Sequence, residues 1–227
     1  MKTLSVIILI IALAACSEQT PSLQMQKTES IFVLVENGGT IMEEDQEEAL
    51  NTALHLFQQL TTLGLRKATK NTQIHIVLSA LPNRIAWSGT PDQLLTQAED
   101  VKNLITFNPS FSDLVMAFEQ IETTVNLTQP DAIRIYWIGT TIHVPLQASG
   151  DKPIEVEVPQ EVPSNLALSR LSSRLGALKI MRVHPDQDQI LQAYLTSLGI
   201  LERTRKGEID FSLLGEAQTK SRLKTLL

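Results

Sequence analysis

Cys16 is the only cysteine in a chain of 227 residues, and its surroundings make it the residue best placed for chemistry. The chain opens Met1-Lys2-Thr3, a short positive start, and residues 4–13 (LSVIILIIAL) are apolar apart from Ser5. Ala14 and Ala15 then set small side chains directly before the thiol. A charged start, a short apolar run and small residues ahead of a cut are the parts of a secretory signal. The run is far below the roughly 20 apolar residues that a spanning helix needs, so it is expected to insert and be cleaved. A lone thiol in an oxidising compartment is a liability that covalent modification removes.

The other side chains with chemical capacity gather at a few loops. Glu36-Asn37-Gly38-Gly39-Thr40 offers a carboxylate, an amide and a hydroxyl around a tight turn. Ser112 with Asp113, and Gly139-Thr140-Thr141, add further hydroxyls and one more carboxylate. Side chains of this kind suit a polar partner surface. Aromatic residues make up only 4% of the chain, so Trp87, Tyr136 and Trp137 stand out. All three suit packing beneath helices; Trp87, beside Ser88, is also a candidate loop anchor for a partner, because Trp is enriched at binding hot spots.

Several chemistries are disfavoured. His55, His75, His143 and His184 form no pair with metal-ligand spacing. There is no Gly-x-Ser-x-Gly elbow to present a nucleophile and no Gly-rich phosphate loop following a strand. No pair of carboxylates can be assigned acid and base roles. No catalytic residue, metal or cofactor is therefore expected. A net charge of −6 without a basic stripe argues against nucleic acid. With no second cysteine the fold must rest on its core, and a 43% hydrophobic composition is enough for one.

The elements that must position these residues follow from periodicity. Runs 31–35 (IFVLV), 74–78 (IHIVL), 132–138 (AIRIYWI) and 178–183 (LKIMRV) read as strands, the first two of them buried. Shorter strands are expected at 84–87, 154–158 and 208–211. Helices are expected over 42–63, closed by Gly64, over 90–105 with Thr90 and Gln93 forming a capping box, and over 113–125 with Ser112 as cap. Further helices are expected over 165–175, ended by Gly176, over 185–198 and over 216–227. Buried strands alternating with helices predict an α/β fold, a doubly wound, mostly parallel sheet with helices on both faces. Ligands of such a sheet sit at the carboxyl ends of the strands, where the winding reverses. Those ends are residues 36–40, the loop after Leu78, Ser112 with Asp113, and 139–141.

Leu13-Ala14-Ala15-Cys16 resembles the lipobox of bacterial lipoproteins. The resemblance implies a signal peptide over 1–15, a diacylglyceryl group on the Cys16 thiol, cleavage before it and acylation of the new amine, with palmitate as the expected chain. Each buried lipid methylene adds about 0.8 kcal/mol of membrane affinity, so several chains hold firmly. Residues 16–30 then form the lipidated cysteine and a polar tether. Ser17, a residue other than Asp, implies carriage to the periplasmic side of the outer membrane in a diderm organism. With a single membrane, the chain would stay on the outer face of the cell membrane.

The order of features over 31–201 resembles a von Willebrand factor A domain. IFVLVENGGT occupies the place of that family's first strand and metal-binding turn, FSDLVMAFEQI resembles its hydroxyl-opened helix, and AIRIYWIG its central strand. The family's metal site is eroded here. Glu36 stands where an Asp is expected, Gly38 replaces a Ser, and Gly139 and Thr140 lie where the last Asp would be, while Thr40 and Ser112 keep hydroxyls. No tight metal site is expected. Residues 202–227 read as a C-terminal extension packing on the domain. The leading expectation is a non-enzymatic protein-binding or assembly module of the bacterial envelope, for which a secretion or conjugation machine is one setting. Its partner rim would comprise Glu36, Asn37, Thr40, Trp87, Ser88, Ser112, Asp113, Thr140 and Thr141. A metal-dependent adhesion domain and an enzyme with an unrecognised site are the rivals.

Overall fold

The computed structural model describes residues 28–143, 146–147 and 158–227. Cys16 and residues 154–157 of the expected strand lie outside them. Strand β1 (Glu29–Val35) leads through a 3₁₀ turn into helix α1 (Gln46–Thr61), then β2 (Gln73–Leu78) and β3 (Ile85–Gly89). Helices α2 (Pro91–Thr96) and α3 (Ala98–Leu104) follow, then β4 (Phe111–Ser112), α4 (Leu114–Thr128) and β5 (Ala132–Ile138). After β6 (Leu146–Gln147) come α5 (Leu168–Leu171), β7 (Leu175–Val183), α6 (Pro185–Ser197), α7 (Ile200–Arg205), β8 (Asp210–Gly215) and α8 (Glu216–Ser221).

Six strands form one sheet in the order β3-β2-β1-β5-β7-β8, parallel except for the edge strand β3. From β1 the chain winds outward through β2 to β3; from β5 it winds the other way through β7 to β8. The reversal thus falls between β1 and β5, which lie side by side in register from Glu29↔Ala132 to Val35↔Ile138. Side chains alternate between the faces. Phe32 and Leu34 pack with α4, α5 and α6, whereas Ile31, Val33 and Val35 pack with α1, α2 and α3. Among the described residues no helix is long and apolar enough to cross a membrane.

Tertiary pairing moves several expected boundaries. Gly176 does not end a helix but lies inside β7, and the helical stretch before it shrinks to α5 and a 3₁₀ turn over Ser172–Arg174. Gly64 is not a cap but part of the 3₁₀ turn Thr62–Leu65. The expected helix over 90–105 breaks at Gln97, with its Thr90–Gln93 capping box intact. Residues 202–227 do more than pack on the domain, since β8 is the sixth strand of its sheet. The final turn is held by Gln59, which donates to the Leu223 carbonyl at 2.7 Å and accepts from Leu226 N at 2.8 Å.

A bulge in β7 ties these parts together. The register with β8 shifts between Met181 and Val183, and Arg182 at that point has φ +66°. A bulge re-aims the side chain it carries. Here the buried guanidinium meets Glu48 at 3.1 Å, Asp45 at 3.4 Å and Glu216 at 3.7 Å, so one cation joins the start of α1 to the start of α8. Truncating one partner of a buried ion cluster costs about 3–5 kcal/mol. Arg182→Met is expected to lower the unfolding free energy at the lower end of that range. Arg182→Lys, which keeps the charge and loses the planar fork, is expected to cost less; urea titration of both variants checks this.

Candidate functional site

At the reversal point the chain places a buried carboxylate. Glu36 follows directly on β1, and every oxygen it presents is met by a donor. Trp137 Nε1 donates to Oε1 at 2.7 Å and the Thr141 amide donates to the same oxygen at 2.8 Å. The hydroxyls of Thr140 and Thr40 donate to Oε2 at 3.0 and 3.3 Å. Two donors are thus on the loop after β5, one on β5 itself and one on the loop after β1. Gly139 makes the approach possible: a Cβ there would lie 2.3 Å from Glu36 Cδ, and its φ of +155° is one that L side chains rarely adopt.

Burial raises the Glu36 carboxyl from 4.5 to about 7, against the lowering influence of its four donors. An oxygen donor set for magnesium must leave lone pairs aimed at the ion in near-octahedral placement. Here the extra methylene of Glu, relative to Asp, brings the carboxylate back onto the protein's own N–H and O–H groups. Gly38 contributes no oxygen, and a Cβ on it would lie 2.3 Å from the Phe111 carbonyl and 2.4 Å from Ser112 Cβ. The space a side-chain ligand would need is filled by β4.

A second knot lies beside the first and is centred on Ser79, at the end of β2. Ser79 Oγ accepts from the Asn37 amide at 3.1 Å and meets Ser112 Oγ at 3.1 Å, and its carbonyl accepts from Asp113 N at 2.9 Å. Asn37 Oδ1 in turn accepts from Ala80 N at 3.0 Å, and its Nδ2 donates to the Thr106 carbonyl at 2.7 Å. The loops after β1 and β2 and the start of α4 are therefore fastened as one body. The cap of α4 is Asp113, whose Oδ1 accepts from Met116 N at 2.9 Å; Ser112 is not the cap but a strand residue one position earlier.

The nine residues expected on a partner rim divide into three groups. Glu36, Asn37, Thr40, Ser112 and Thr141 are buried and spend their polar atoms inside the protein. Thr140 and Asp113 are half-buried at the carboxyl end of the sheet. Trp87 and Ser88 are elsewhere, on the edge strand β3, where Trp87 packs against the core and donates to Gln97 Oε1 at 2.8 Å while Ser88 Oγ meets His75 Nδ1 at 2.8 Å. The surface at the carboxyl end is made by residues that composition did not single out. Met42, Leu81 and Met116 are exposed by 65%, 40% and 40%, on the two loops and the helix start that Ser79 fastens. Glu43, Glu44 and Glu47 are exposed beside Met42. A weak signal for Ser79 exists in the sequence, as the first polar residue after a fully buried strand.

Next to Thr140 lies a cavity of about 370 Å³, lined by Asp45, Arg182, His184, Asp188 and Glu216 among others. Its ionisable groups are largely engaged with the protein: Arg182 in the cluster described above, and His184 Nδ1 as the acceptor of the Asp186 amide at 3.2 Å, capping α6. Among the described residues no group of three or more His, Cys, Asp or Glu side chains converges as a metal site. No protein-family model matches the chain, and no curated protein matches it in sequence. Its function must be read from this geometry.

The Glu36 carboxyl binds its proton more tightly folded than unfolded. Its contribution to stability is complete below pH 4.5, falls as the pH rises to about 7, and is constant above that. The fall is on the order of 3 kcal/mol. Glu36→Gln keeps the shape and loses the charge, so it is expected to remove this slope and to exceed the native protein in stability at pH 8. Glu36→Ala leaves the buried Trp137 indole N–H and Thr141 amide unpaired and also removes the slope, so its cost is expected to be greatest below pH 4.5 and to shrink by on the order of 3 kcal/mol towards pH 8. Thermal melting across pH 4–9 measures all three.

Proposed function

We propose that this chain is a lipid-anchored extracytoplasmic protein whose von Willebrand factor A-like domain is a protein-binding or assembly module of the bacterial envelope. The observation that carries the reading is the sealed carboxylate. Where the resemblance puts an open cation, Glu36 is closed over by Trp137, Thr140, Thr141 and Thr40. Recognition at this end then falls to the loop surface, where Met42, Leu81 and Met116 project among carboxylates. Exposed apolar side chains with an acidic surround suit a protein partner carrying both apolar and basic groups. The doubly wound strand order supports the fold resemblance, and at the reversal point lie Glu36 and Thr140, which stand where that family has its first and last metal-binding Asp.

Two measurements test the proposal. A photoreactive residue at Leu81 or Met116, in cells, is expected to give a discrete adduct that Met42→Glu weakens, while one at Gln58 on the outside of α1 gives none; equal labelling from both places would count against a partner face. Millimolar magnesium is expected to leave the melting temperature unchanged, and stabilisation by several kcal/mol would favour the metal-dependent adhesion reading. The anchor has its own test. Cys16→Ser is expected to block lipidation and leave the precursor uncut, and intact mass of the native protein is expected to show acyl chains on a product beginning at Cys16.

A further inference from the structure

The amino end of the sheet, opposite the sealed carboxylate, has a chemistry of its own. The turn after α1 carries Arg66, Lys67 and Lys70, all exposed, and residues 62–72 contain no acid. No ion pair among the described residues neutralises these three. Arg203 and Lys206, before β8, are balanced by Glu208 and Glu202, leaving Arg205 exposed. The other acids at this end are Asp92, against Gly64, Asp131, which accepts from Thr28, Glu29, paired with Arg134, and Asp210, paired with Lys179. The whole chain is nevertheless at −6, so this end is basic against the trend of the molecule.

Two apolar side chains flank the cations. Leu65, at the end of the turn after α1, is 87% exposed, and Leu127, in the last turn of α4, is 80% exposed. They are the most exposed large apolar side chains among the described residues. Because α1 and α4 cover opposite faces of the sheet, the two leucines bracket this end from both sides. The described chain begins at Thr28, exposed at the same end. Eleven residues lie between it and Cys16, and that length spans at most about 40 Å. Exposed leucines among unpaired Lys and Arg are the combination that seats a protein on an anionic lipid interface, apolar groups entering below the headgroups and cations meeting the phosphates.

We infer that the amino end of the domain docks on an anionic phospholipid surface through Arg66, Lys67, Lys70, Leu65 and Leu127, holding the acidic carboxyl end away from the bilayer. The inference rests on the proposed lipid attachment at Cys16, which brings this end to the membrane. It fixes an orientation that attachment alone would not.

The test uses the mature lipidated protein on vesicles, with a nitroxide on Leu65→Cys and, as control, on Met42→Cys. On vesicles containing phosphatidylglycerol the Leu65 label is expected to lose collisions with a water-soluble nickel complex and to gain them with oxygen, while the Met42 label stays in water. On phosphatidylcholine alone both labels are expected to stay in water. Arg66→Glu with Lys67→Glu and Lys70→Glu is expected to return the Leu65 label to water on both vesicles, with melting temperature unchanged because all three side chains are exposed. Protein that floats with both vesicles while its Leu65 label remains in water overturns the docking alone. Protein that floats with neither, and lacks acyl mass, overturns the attachment and the docking with it. Shielding of the Leu65 label at high protein concentration without vesicles would assign the face to a second copy and overturn the membrane reading.

Discussion

The carboxylate of Glu36 joins the two halves of the sheet where the winding reverses, between the carboxyl ends of β1 and β5. A doubly wound sheet leaves a crevice where winding reverses, and the backbone there needs partners for its loops. In this protein a single acidic side chain supplies acceptors for a strand indole, a loop amide and two hydroxyls. The dependence runs in both directions. Trp137 is fully buried against Phe118, with ring centroids 5.0 Å apart, so the donor that fixes Glu36 is itself fixed by the core beneath α4. Gly139 has neither the room nor the backbone angle for another residue while Glu36 lies over it. The crevice that serves as a ligand site in many such sheets is here filled by the protein's own side chain. Because the fill is polar and buried, it makes stability depend on pH instead of opening a site.

Much of this fold was legible in the residues. A continuous β-branched and apolar run such as IFVLV reads as buried on both faces, which implies helices on both sides and hence a parallel sheet. The Thr90–Gln93 box announced its helix start because its bonds are local. What was not legible depends on contacts distant in sequence. Gly176 reads as a helix stop and lies in a strand because β5 pairs across it. Ser112 reads as a cap, yet its hydroxyl is drawn to Ser79, 33 residues earlier, and Asp113 takes the role. Glu36 and Thr40 could be named from spacing, but not their burial, since the Trp137 and Thr141 donors lie about a hundred positions away. Polar side chains at the reversal point are spent on internal bonds. The surface was left to Met42, Leu81 and Met116.

The molecule is electrically two-ended, and part of that polarity has a local cause. In a parallel sheet the helices run against the strands, so their N-termini collect at the carboxyl end. Acidic side chains there are stabilised by the helix dipole: Glu47 and Glu48 in the first turn of α1, Asp186 and Asp188 in α6, and Glu216 in α8. Arg182, aimed by its bulge, neutralises the innermost of them and leaves the outer ones to solvent.

The same dipole argument accounts for only part of the opposite end. Arg203 and Arg205 stand in the last turn of α7, but the last turns of α1, α4 and α6 hold no basic residue. Arg66, Lys67 and Lys70 lie beyond α1, in a turn that runs on to β2, where helix stability gives no reason for them. Nor does folding explain Leu65 and Leu127, since a leucine left in water forgoes about 1.5–3 kcal/mol that burial would supply. A surface that collects both costs at the end where the chain enters the domain is better understood through what lies outside the protein. A tether alone would let the domain turn freely. On the proposed lipid attachment, cations and leucines at its root would give one orientation a lower energy than the rest, and that orientation would present the loops fastened by Ser79 to whatever approaches from the aqueous side.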